Sequence, residues 1–140
     1  MERRLIRHGF ILIAAALLSG FVIPAARIPR LALSAHTIGV MSGMLLIVVA
    51  LVWQRFSLSD RQRRTKYWAW ICSSYINWLA ILIGALAGTG KMTPVASAGM
   101  VGSPIAEAAV AVMLATVAIT SLLAVGLALW GLRADNVVSE

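Results

Sequence analysis

Few side chains in this chain have chemical scope, and His36 is the first of them. Gly39, Val40 and Gly43 follow it by three, four and seven residues, which on a helix places all four on one face. Small residues beneath an imidazole leave the flat space that a planar, imidazole-ligated cofactor needs, and histidine is a common axial ligand of haem iron. The same spacing also describes a GxxxG packing face, with His36 bonding across to a neighbouring helix. The other histidine, His8, belongs to the start of the first apolar run, whereas His36 lies near the far end of the second. A helix of about 20 residues spans about 30 Å, so the two cannot clasp one iron within a subunit. Unless Met41, Met44 or a neighbouring subunit supplies a sixth ligand, one coordination position stays open. An iron of that kind serves as a Lewis acid or oxygen activator rather than as an electron carrier.

Asn77 is the second candidate, since it falls mid-way along the run "YWAWICSSYINWLAILIGALAG" with Ser73 and Ser74 one turn before it. A buried amide there either bonds another helix or orients a polar substrate group. Tyr75 points away from Asn77 on the helix, and with Trp70 and Trp78 it offers aromatic walls or core packing. Ser42 brings a hydroxyl to the second run. Glu107 opens the last run, where a helix N-terminus stabilises it and Lys91 or an arginine of the outer loops can pair with it. Arg27, Arg30 and Lys91 share the side of His36 and are candidates to meet carboxylates of a cofactor, or are solvated loop charges.

The elements that must position these residues follow from composition. With 61% hydrophobic and 12% charged residues, the chain has too little polar surface to cover a soluble globule. Four runs, over residues 9–26, 35–55, 67–88 and 105–132, are long enough to cross a hydrocarbon core of about 30 Å. Their unbroken apolar character predicts helices rather than barrel strands, hence an all-α integral membrane four-helix bundle forming a single domain over residues 1–140. Ser34 is the expected N-cap of the second helix, Pro104 fits the first turn of the fourth, and "TGKMTPVASAGMVGSP" between the last two should form an outer lid. Arginine and lysine concentrate at the amino terminus, in "RFSLSDRQRRTK" and after the last run, which predicts both termini on the cytoplasmic side. The formal charge of +7 is thereby explained without nucleic acid, and the lone Cys72 excludes an intrachain disulfide.

Four segments together carry a resemblance: "RRLIRHG", "PRLALSAHTIGVMSG", "SSYINW" and "GTGKMTPVASAGMVGSPIAE". Over nearly its whole length the chain resembles the hydroxylaminobenzene mutases and, more distantly, styrene oxide isomerase. The resemblance implies an isomerase of the bacterial inner membrane that rearranges a small aromatic substrate, arylhydroxylamine to 2-aminophenol, or alternatively an aryl epoxide to an aldehyde. It also implies ferric haem b on His36, Asn77 in the pocket, and a homo-oligomer, trimeric by resemblance, embedded in lipid; the residues' own placement adds Gly39, Gly43 and Arg30 as candidates beside the haem and Ser42 and Tyr75 as candidates in the pocket. Two positions depart from the isomerase: Ser42 replaces an Asn six residues after the ligand histidine, and Ile81 replaces a Tyr one turn after Asn77. The missing Tyr argues against an epoxide isomerase. A small proton-driven transporter would need a mid-helix acid, and Glu107 sits at a helix end. A non-catalytic haem anchor subunit is the remaining alternative.

Overall fold

The computed structural model describes residues 1–133, and every regular element among them is helical. α1 spans Glu2–Gly20, α2 Pro29–Leu51, α3 Asp60–Ala87, α4 Pro94–Ser97 and α5 Pro104–Gly131; single 3-10 turns at Ile23–Ala25 and Trp53–Arg55 join the first three. α2, α3 and α5 are long and apolar enough to cross a membrane. α1 does not join them, because Glu2, Arg3, Arg4 and Arg7 occupy its first two turns and the helix stops at Gly20. Three membrane-length helices therefore stand where four were expected.

The helix boundaries have local causes. α2 starts at Pro29, whose fixed φ suits a first turn, and Ser34 lies inside the helix with its hydroxyl on the Arg30 carbonyl instead of capping it. α3 begins at Asp60 rather than 67, because Ser59 and Gln62 form a reciprocal capping box. Its 28 residues rise about 42 Å, so its basic first turns project beyond a hydrocarbon core of about 30 Å. α5 opens as expected at Pro104, with the Ser103 hydroxyl accepting from the Ala106 N–H.

The long helices pack in chain order, α1 along α2, α2 on α3 and α3 on α5, instead of closing around one core. One apolar cluster, with Leu5, Leu46, Trp53 and Trp70, fills the basic end. A second, with Ile28, Leu31, Ala35 and Ile81, fills the other end. α1 and α2 touch backbone to backbone, since a Cβ on Gly43 would lie 2.6 Å from the Gly9 carbonyl oxygen. α5 leaves Ile105, Val112, Ile119 and Leu122 exposed on its outer side.

Two sets of bonds define the ends of the molecule. At one end Gln54 donates to Glu2, and the Ser57 N–H donates to the Gly131 carbonyl at 2.8 Å, so the start of α1 and the end of α5 meet the basic turn. There the Lys66 amine is fully buried with no hydrogen-bond partner among the described residues, 4.9 Å from the Trp53 ring and against Phe56. At the other end the Ile28 N–H bonds the Ala85 carbonyl and Arg27 bonds the Ala87 carbonyl. The loop from Gly88 to Ser103 folds over this end. Glu107 gathers it by accepting the N–H groups of Gly90, Lys91 and Gly102 at 2.9–3.2 Å. The carboxylate thus holds backbone, where an ion pair with Lys91 or an arginine was expected.

Candidate active site

His36 sits on the α1 side of α2. Its Nδ1 lies 2.8 Å from the Ala16 carbonyl oxygen. A carbonyl can only accept, so Nδ1 carries the proton and a neutral ring keeps its lone pair on Nε2, which has no hydrogen-bond partner among the described residues. Gly20 makes the approach possible, because a Cβ there would stand 3.1 Å from Nδ1. An imidazole fixed by a backbone carbonyl on one nitrogen and free on the other is the usual arrangement of a metal-ligating histidine. No group of three His, Cys, Asp or Glu side chains gathers among the described residues. A porphyrin-held iron asks for only one such ligand, and His36 meets that requirement.

The expected cradle beneath the imidazole has a different use. A Cβ on Gly39 would lie 2.5 Å from the Ala16 Cβ and 2.6 Å from Trp78 Cδ1, and one on Gly43 would press on Gly9 and Ile13. α1 and Trp78 occupy the space these glycines leave, so Gly39 and Gly43 form a packing seam within the chain. A planar group on His36 would therefore lie against other surfaces. Gly84 meets Leu31, and Gly88 ends α3 in the left-handed conformation, so that pair too serves the chain's own fold.

Asn77 and Ser42 do come together. They line a groove of about 450 Å³ between α3 and α2 with Ile38, Met41 and Leu45. It adjoins a smaller cavity of about 180 Å³, where Ser42, Asn77 and Leu45 recur and are joined by Trp70, Ser74 and, from α5, Ser121. Ser73 spends its hydroxyl on the Trp70 carbonyl, whereas the side chains of Asn77, Ser42 and Ser74 make no hydrogen bond among the described residues. Polar groups held in an apolar groove without protein partners are positioned for a ligand. His36 and Ser42 are six residues apart, about 120° around α2, and Ile38 and Leu45 turn the groove further from the imidazole. Within one chain, the imidazole and the groove thus open on different sides of α2.

The remaining candidates are placed elsewhere. Tyr75 reaches α1, where its hydroxyl donates to the His8 carbonyl at 3.1 Å and lies 3.4 Å from His8 Nδ1. It borders neither the groove nor His36. Ile81 is buried in the apolar cluster with Leu31 and Ala35, so its methyls fill core instead of a pocket. Arg30 is exposed in the first turn of α2. His8 lies eight residues below Ala16 on α1, a rise of about 12 Å, which keeps the two imidazoles from sharing one metal. Sequence reasoning missed Ala16 and Gly20, the carbonyl and the gap that hold His36. Their i, i+4 spacing of small residues on α1 was the available signal.

An all-helical membrane protein that holds unpaired polar side chains in an apolar groove, and an anchored imidazole on another side of the same helix, has the construction of an intramembrane enzyme for a small apolar substrate. Residues 1–133 match the styrene oxide isomerase family, and the chain belongs to it. It is 37% identical over 134 residues to hydroxylaminobenzene mutase HabB of Ectopseudomonas oleovorans, covering 95% of this chain and 82% of that protein. It is 31% identical over 115 residues to hydroxylaminobenzene mutase HabA of the same organism, covering 81% and 85%. No solved structure matches the chain. The family and its relatives make this protein an isomerase, in agreement with the resemblance read from its motifs.

Proposed function

We propose that the protein is an arylhydroxylamine mutase of the bacterial inner membrane, with both termini cytoplasmic, that moves a hydroxyl from nitrogen to the neighbouring ring carbon. The proton lost by that carbon balances the one gained at nitrogen, so no external redox partner is required. The observation that carries this reading is the pairing of an anchored imidazole with an open Nε2 and a separate groove bearing unpaired Asn77 and Ser42. Haem b is the proposed cofactor, held through His36 Nε2. When bound, it supplies a ferric Lewis acid for the substrate oxygen.

The chain's own groups do the rest. The Ala16 carbonyl fixes the tautomer and plane of His36. The Asn77 amide and the Ser42 hydroxyl orient the polar end of the substrate, while Ile38, Leu45 and Trp70 surround its ring and exclude water. Because imidazole and groove open on different sides of α2, the site is completed between copies of a homo-oligomer, His36 from one and Asn77 from the next. The epoxide reading uses the same groups. Mutase relatives and a buried Ile81 in place of a pocket Tyr favour the hydroxylamine.

The test compares wild type, His36→Ala and Asn77→Ala, purified in detergent after expression with ample haem. The expected results are a Soret band and 2-aminophenol from phenylhydroxylamine in the wild type, loss of both in His36→Ala, and an unchanged band with slow turnover in Asn77→Ala. Turnover by a haem-free His36→Ala protein would overturn the proposal.

A further inference from the structure

A groove of about 560 Å³ lies away from Asn77 and His36, between α3 and α5 at the basic end. Arg61, Thr65, Trp68 and Cys72 line it at i, i+4, i+7 and i+11 of α3, one helix face, and Leu123 of α5 closes the other side. Two charges mark one end only. The Arg61 and Arg64 side chains are exposed, and neither guanidinium has a hydrogen-bond or ion-pair partner among the described residues.

Beyond the arginines the walls behave as apolar surface. Thr65 and Thr120 turn their hydroxyls back onto the carbonyls of Arg61 and Thr116, so neither has a proton left to donate to a polar ligand. Trp68 is 52% exposed between the charged and apolar parts, where an indole marks the headgroup level of a membrane. From Arg61 to Cys72 the helix rises about 16 Å, which is about half of a 30 Å hydrocarbon core, or one leaflet. The Ser57 to Gly131 bond pins the end of α5 beside the basic turn and so fixes the width of the groove.

We propose that this groove binds an anionic phospholipid, with its phosphate on Arg61 and Arg64 beside Trp68 and one acyl chain along Ala69, Cys72 and Leu123. Unpaired cationic side chains at the mouth and a leaflet-deep apolar trough are the complement of that one molecule. The inference is independent of the mutase reading.

Native mass spectrometry of the full chain tests it, with equimolar dioleoyl phosphatidylglycerol and dioleoyl phosphatidylcholine as probes. The wild type is expected to retain the anionic lipid over the zwitterionic one by about tenfold or more. Arg61→Gln with Arg64→Gln should equalise the two, and since both side chains are exposed and have no partner among the described residues, helix content should stay unchanged. Leu123→Trp, which adds bulk at a half-exposed wall, should reduce binding of both lipids. Equal retention in the wild type, or a preference that survives the double arginine variant, overturns the proposal. So does displacement of the lipid by glycerol 1-phosphate at equal concentration, which would leave only an anion site. Lipid-free oligomers that Leu123→Trp dissociates would show the groove covered by a second copy and equally refute it.

Discussion

Gly39→Ala reaches His36 through the packing seam. The new methyl would lie 2.5 Å from the Ala16 Cβ and 2.6 Å from the edge of Trp78, whereas ordinary contact begins near 3.4 Å. Gly43 and Gly9 hold the helices backbone to backbone one turn away, so α1 cannot retreat without opening that contact as well. Overpacking of this kind costs about 1–3 kcal/mol. The residue struck is the one whose carbonyl accepts from His36, and an opening of about 0.9 Å stretches a 2.8 Å bond beyond hydrogen-bonding range. Loss of such an outer partner lowers metal affinity by about 10–100-fold. The assay follows helix content against SDS together with Soret absorbance during haem titration. Gly126→Ala is the control, because nothing lies within 4 Å of its added methyl. A Gly39→Ala protein as stable as the control would refute the tight seam. With haem uptake as proposed, a destabilised variant whose Soret titration matches that of the wild type would refute the link from Ala16 to His36.

Asn77→Ala should lower turnover by about 10²–10³-fold, the usual loss for one preorganised donor, with stability and any Soret band unchanged; single-turnover kinetics check this. Tyr75→Phe removes the bond to the His8 carbonyl, so an expected loss of about 0.5–1.5 kcal/mol in SDS unfolding should come without a change in turnover per folded molecule. Glu107→Gln places an amide N–H₂ among three backbone donors, and hydrogen exchange over residues 88–103 should accelerate relative to the wild type. Lys66→Met replaces a buried amine that has no hydrogen-bond partner among the described residues with an apolar chain of similar length, and the unfolding midpoint should hold or rise.

The sequence by itself determined the membrane class, since 61% hydrophobic residues in runs of membrane length leave the backbone no solution but helix. It determined the start of α5, because proline in a first turn acts locally; the capping box of Ser59 and Gln62 is as local but went unread, so α3 starts at Asp60 instead of the expected 67. It also determined the family, whose motifs are strings of residues that need no fold to be read. Only the tertiary structure decided what the small residues are for. Gly39 and Gly43 have one spacing whether they cradle a cofactor or admit a helix, and the choice depends on α1, which meets them from more than twenty residues away. Tertiary structure likewise sent Tyr75 to His8, Ile81 into the core and Asn77 to Ser42. A helix periodicity tells which residues share a face; which neighbour covers that face is set by packing between segments distant in the chain, and that is where His36 found the Ala16 carbonyl.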